Sequence, residues 1–130
     1  MAIAGAAGIS GDAHMIESAA EFARLRMSDD PAEQARATHD AAEEGVWRAV
    51  IVHTPELKIW IARNKSVQME ILHLLAADAD PRVRREVAAK RKLDLALFVA
   101  LANDPDESVR RAIALNAKCP ARIKEGMNDE

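Results

Sequence analysis

Cysteine and aromatic side chains are nearly absent from this chain: one Cys (Cys119), no Tyr, and 3% aromatics in 130 residues. A lone thiol excludes an internal disulfide framework and cannot by itself build a zinc or iron–sulfur site from several thiolates. Scarce aromatics beside abundant Ala disfavour sheets, whose strands prefer aromatic and β-branched residues, and favour closely packed helices. No apolar run approaches the roughly 20 residues of a membrane span, because charges interrupt the hydrophobic positions at helical spacing. Met1 to Ala13 is rich in Ala and Gly but lacks a basic n-region, so it fails as a secretory signal and reads as a disordered tail. The expectation is a cytoplasmic protein in a reducing interior, with no membrane partner.

Patterns that carry chemistry are also missing. His14, His39, His53 and His73 show no paired ligand spacing, so no metal site is expected. Gly5, Gly8 and Gly11 follow no strand pattern and form no phosphate-cradling loop. No pair of residues stands out as nucleophile and base or as acid and base. The expected protein has no catalytic residue and no cofactor, and is not an enzyme.

What is present is an internal repeat of 26 residues. With Pro55 on Pro81, the residues Leu57, Lys58, Ile61, Ala62, Val67, Ile71, Leu72, Leu75, Ala76 and Asp78 fall on Val83, Arg84, Val87, Ala88, Leu93, Leu97, Phe98, Leu101, Ala102 and Asp104. The same shift carries Val83, Arg84, Arg85, Val87, Ala88 and Lys92 onto Val109, Arg110, Arg111, Ile113, Ala114 and Lys118, and Leu97 onto Ile123. A fixed period of this length marks stacked helical units that bury a shared core. Each unit holds two helical pieces, the first apolar at i, i+4 and i+5 (Val83, Val87, Ala88), the second at i, i+1 and i+4 (Leu97, Phe98, Leu101). Cys119 takes the position of Leu93 in this frame and reads as core packing.

Residues 14–54 read as an N-terminal helical cap or degenerate repeat, and residues 55–130 as three units, the last partial. A first helix is expected from about His14 to Met27, with Ile16, Ala20, Ala23 and Met27 on one face. Asp30 before Pro31 reads as the N-cap of a second helix running to about Ala42, and a third is expected from Glu44 to His53.

The segments Asp78 to Ala88 and Asp104 to Ala114 share the arrangement D-x-x-x-x-V-R-x-x-(V/I)-A. This arrangement resembles the HEAT-type repeat, and the short period, with Val109, Arg110, Arg111, Ala112, Ile113, Ala114, Leu115, Asn116 and Pro120, resembles the bacterial leucine-rich repeat variant family over about residues 55–125. The resemblance implies an all-α, right-handed α-solenoid of HEAT-like repeats. It further implies that Asp78, Arg84, Asp104 and Arg110 form a structural hydrogen-bond ladder between adjacent units. Helix geometry agrees for Arg84, which lies about 60° from Val87 and about 40° from Ala88 and so borders the buried stripe. The known cluster-binding and glycosylase functions of such families do not transfer: the cysteines and the length are lacking.

Charge is divided unevenly. Residues 1–54 hold four Lys plus Arg against nine Asp plus Glu, and residues 55–130 hold 14 against 12, for a net charge of −3. Arg85, Lys92, Arg111 and Lys118 recur one period apart and lie opposite Val83 and Val87 on the helical wheel. With Ile59 and Arg63 they define an expected exposed interaction ridge. The leading expectation is a scaffold that binds another protein as adaptor, regulator or inhibitor; the alternative is phosphate tracking on nucleic acid without sequence preference. Three units are near the minimum for a stable stack, so a homodimer that covers an exposed end is a further expectation.

Overall fold

A computed structural model of the chain describes residues 15–128. The expected tail over residues 1–13 lies outside them. The described residues are mostly helical, as expected for an all-α protein, and none of their helices is long and apolar enough to cross a membrane. The chain divides into two compact units, one of residues 15–57 with 64–67 and one of residues 58–63 with 68–128.

The first unit opens with a two-residue strand β1 (Met15–Ile16), followed by α1 (Ala19–Met27), α2 (Pro31–His39), strand β2 (Ala41–Ala42), α3 (Glu44–His53) and a 3₁₀ turn (Pro55–Leu57). Helix α1 starts five residues later than the expected His14. Ser18 Oγ accepts the Glu21 backbone N–H at 3.0 Å, and the Glu21 carboxylate accepts the Glu17 N–H at 2.8 Å, a capping arrangement that fixes the start. Upstream of the cap, Met15–Ile16 pairs in parallel with Ala41–Ala42, which also ends α2 before Ala42. The buried face of α1 is Phe22 and Leu25, whereas Ala20 is exposed and Met27 is 75% exposed, so the expected apolar face is rotated. The cause is the later start together with Trp47, which meets Phe22 edge to face at 5.1 Å between ring centroids. Asp30 caps α2 by accepting the Ala32 N–H at 2.9 Å, with Pro31 in the first turn, as the sequence indicated.

One buried polar side chain closes this unit. Asn64 is fully buried; its amide donates to the carbonyls of Ala37 and Asp40, both at 2.9 Å, and its Oδ1 accepts the Ser66 N–H at 2.8 Å. Satisfying these groups is what makes its burial tolerable.

The second unit comprises α4 (Lys58–Arg63), α5 (Met69–Ala76), α6 (Pro81–Ala88), α7 (Leu95–Ala102), α8 (Glu107–Leu115) and α9 (Ala121–Asn128). Helices α4, α6 and α8 pack in sequence as one layer and α5, α7 and α9 as a second, with α5 also against α6 and α7 against α8. Between the layers lie Ile61, Ile71, Leu72, Leu75, Val83, Val87, Leu97, Phe98, Leu101, Val109 and Ile113, all buried. Cys119 is also buried, and desolvation pushes its thiol pKa up, away from nucleophilic use.

The starts of α6, α7 and α8 follow one rule. Asp80, Asp94 and Asp106 each sit at the N-cap and accept a backbone N–H from Arg82, Leu97 and Ser108 at 2.9, 2.9 and 2.8 Å. Asp94 Oδ2 also lies 2.7 Å from His73 Nε2 on α5. The hydrogen bond with His73, then the Leu97 N–H, lowers the Asp94 pKa. A carboxylate with a depressed native pKa stabilises the fold above its unfolded value of about 3.9 and loses that contribution as pH falls through the lower native value. Asp94→Asn, which keeps an N-capping oxygen but removes the charge, is therefore expected to be less stable than the parent at pH 7. The difference should shrink in urea unfolding curves as pH falls below the unfolded value and close once pH is below the lowered native value, because the parent is then protonated too.

Candidate interaction surface

The turn before α6 and the turn before α8 are built alike. Asp78 Oδ1 accepts the Asp80 N–H at 2.9 Å, and Asp104 Oδ1 accepts the Asp106 N–H at 2.8 Å, so each Asp orders the loop that leads to the N-cap. The other oxygen of each faces a cation 20 residues earlier. Lys58 Nζ meets Asp78 Oδ2 at 2.6 Å, and Arg84 grips Asp104 with Nε at 2.7 Å to Oδ2 and NH2 at 3.1 Å to Oδ1. Arg84 also donates through NH1 to the Asp78 carbonyl at 2.7 Å, tying the turn on either side of its own helix. Only 13% of the Arg84 side chain and 6% of the Asp104 side chain are exposed, and the carboxylate holds the guanidinium more firmly charged. Arg110 repeats half of this pattern: NH1 donates to the Asp104 carbonyl at 2.7 Å. The structure thus brings Asp78, Arg84, Asp104 and Arg110 into one line of contacts, and adds Lys58 to it.

A parallel line of contacts escaped the sequence. Lys90 Nζ donates to the Ala62 carbonyl at 2.7 Å, and the Asn116 amide donates to the Ala88 and Lys90 carbonyls at 2.8 and 2.7 Å. Each satisfies carbonyls left open at the end of the preceding helix of its layer. The signal available was Asn64 and Asn116, 52 residues apart with Lys90 between them, polar residues at a position in register with the repeat.

The expected ridge is not a row of free cations. Arg63 forms a two-pronged pair with Glu86, both bonds 2.9 Å, and its guanidinium lies 4.8 Å over the Trp60 ring. Arg111 pairs with Glu107 on its own helix at 3.1 Å. Ile59 is half-buried, and Arg85, Lys92 and Lys118 are exposed. Lys92 and Lys118 belong to no helix face, because α6 ends at Ala88 and α8 at Leu115; both lie in the connections that follow. Extending the helical wheel past these ends misplaced them.

A different surface stands out on α7. Its sequence, LALFVALA, carries no charge; one side buries Leu97, Phe98, Leu101 and Ala102, while the other exposes Leu95 at 57%, Val99 at 44%, and Ala96 and Ala100. A helix at a protein surface normally turns a charged face to water. Val99 also borders an open cleft of about 730 Å³ lined by Asn103, Pro105, Arg110, Arg122, Ile123 and Met127 among others. The Asp104 carboxylate also lines it, so the cleft mixes apolar Val99, Ile123 and Met127 with polar and charged groups of both signs, a lining suited to a polypeptide. Among the described residues no three His, Cys, Asp or Glu come together as a metal site.

Compared with known proteins, the chain matches no family model, no curated protein and no solved structure.

Proposed function

We propose that the chain is a non-enzymatic α-solenoid of the HEAT-like, leucine-rich repeat variant type, with a 26-residue period, that binds another protein. The repeated 20-residue link between a cation and a turn Asp, Lys58 to Asp78 and Arg84 to Asp104, supports the period. The observation that carries the binding reading is the charge-free exposed side of α7, which runs into the cleft at Arg110. Burying Leu95 and Val99 against a partner removes apolar surface from water at about 25 cal/mol per Å². Nucleic acid is the weaker reading, since Glu86 and Glu107 already neutralise two cations of the ridge.

The test compares two double variants in affinity capture from the native cell, with circular dichroism as the folding control. Leu95→Asp with Val99→Asp is expected to lose, by tenfold or more, the protein that the parent retains, while Arg85→Glu with Lys92→Glu keeps it. The reverse pattern would return the binding surface to the basic ridge. Binding of labelled RNA or DNA with a steep salt slope, lost in the Arg85 variant, would replace the protein reading altogether.

A further inference from the structure

Helices α5, α7 and α9 start 26 residues apart, at Met69, Leu95 and Ala121, and pack side by side in that order. Their outward positions form rows across the layer. The second position of each helix gives Glu70, Ala96 and Arg122, the fifth His73, Val99 and Glu125, and the sixth Leu74, Ala100 and Gly126, all of them exposed. In every row the middle member, on α7, is apolar, and the two flanks differ in kind. An acid stands across α7 from a base in the first row, a His from an acid in the second, and a Leu from a Gly in the third.

The charges carried by the three helices are Glu70, Arg122, Lys124 and Glu125, of which Lys124 is half-buried. Two of each sign leave no net field, so this face selects no partner by overall charge. It selects by arrangement. A surface with an acid on one flank, a base on the other and apolar side chains between them matches itself after a half-turn, which is the requirement for an isologous interface. A two-fold axis lying in the face and running with α7 lays α5 of one copy over α9 of the other. Glu70 then meets Arg122 on both flanks. Glu125 meets the His73 ring, whose Nε2 lies 2.7 Å from Asp94 of its own chain, leaving Nδ1 for the second copy. Leu74 lies over Gly126, where an added Cβ would find nothing within 4 Å. In the middle Leu95 and Val99 meet their own counterparts, and Ala96 and Ala100 let the two helices approach closely.

We propose that the outer face of α5, α7 and α9 is the interface of a two-fold dimer of this chain, with Glu70 of each copy paired to Arg122 of the other. This rests on the α7 protein-binding reading and names its partner as a second copy. Such a dimer covers Leu74, Leu95 and Val99, the large hydrophobic side chains that these helices leave exposed.

The test is sedimentation velocity of the full chain over a concentration series, with circular dichroism as the folding control. The parent is expected to dimerise. Glu70→Arg and Arg122→Glu each place two like-charged pairs at the interface, and each is expected to weaken the dimer about tenfold. Net charge alone would move these two variants in opposite directions. Both changes in one chain restore the pairing of opposite charges and should return the dissociation constant to within about threefold of the parent. A parent that stays monomeric up to about 1 mM overturns the proposal, as does a dimer that the single changes leave intact or that the double change fails to restore. A monomeric parent that captures a different protein, lost in Leu95→Asp with Val99→Asp, removes the dimer and leaves the α7 reading in place.

Discussion

Asp104→Ala is expected to cost about 3 to 5 kcal/mol of stability, the range for removing one partner of a buried ion pair. Three losses coincide. Arg84 keeps its buried charge without a counter-ion, the Asp106 N–H loses the acceptor that orders the turn, and the start of α8 is freed from α6. For a chain of this size that corresponds to a drop of roughly 10 to 15 °C in Tm. The pair itself need not be net stabilising, since ion pairs of this kind are often replaced by apolar residues at no loss. Arg84→Met combined with Asp104→Leu should therefore recover most of the stability lost in Asp104→Ala. Chemical denaturation of the parent, Arg84→Met, Asp104→Leu and the double variant gives the coupling directly. A single-variant loss below about 1 kcal/mol would mean the rung is peripheral to the fold.

Trp47 is the second site where a large effect is expected, and here the direction depends on what replaces it. Its ring is fully buried against Phe22, and Nε1 is buried with no acceptor among the described residues. Trp47→Ala deletes the largest side chain of the first unit's core and should cost about 3 to 5 kcal/mol. Trp47→Phe removes an unsatisfied donor along with some volume, so the two effects oppose and a change within about 1.5 kcal/mol is expected. Guanidinium unfolding of the two variants checks both. A Trp47→Phe loss as large as that of Trp47→Ala would show that the indole N–H has a partner after all.

The sequence was most legible where one residue type does one job at a fixed spacing. The helix pairs of the second unit followed from apolar positions, and Asp30 before Pro31 announced the start of α2. The line of Asp78, Arg84, Asp104 and Arg110 was implied by the resemblance to the HEAT-type repeat, and the place of Arg84 beside the buried stripe of its helix agreed with it. Other features depend on contacts that no local pattern encodes. Two residues of strand, Met15–Ile16, have no period to detect, and pairing with Ala41–Ala42 is settled 26 residues away. The tasks of Asn64, Lys90 and Asn116 appear only when the chain has turned, since their partners are main-chain carbonyls. Lys92 and Lys118 were read on a wheel that the chain had already left. The charge-free run from Leu95 to Ala102 was in plain view, but only burial divides it into a core side and an exposed side.

The central claim, that a cation–carboxylate rung is closed at Arg84 while Arg110 meets only the Asp104 carbonyl among the described residues, is tested most directly on the free protein by the arginine Nε–Hε spectrum and its exchange with solvent. The account predicts a downfield, slowly exchanging Arg84 signal and an Arg110 signal near the position of a hydrated arginine that exchanges at least tenfold faster. Two signals alike in position and in exchange rate would contradict it.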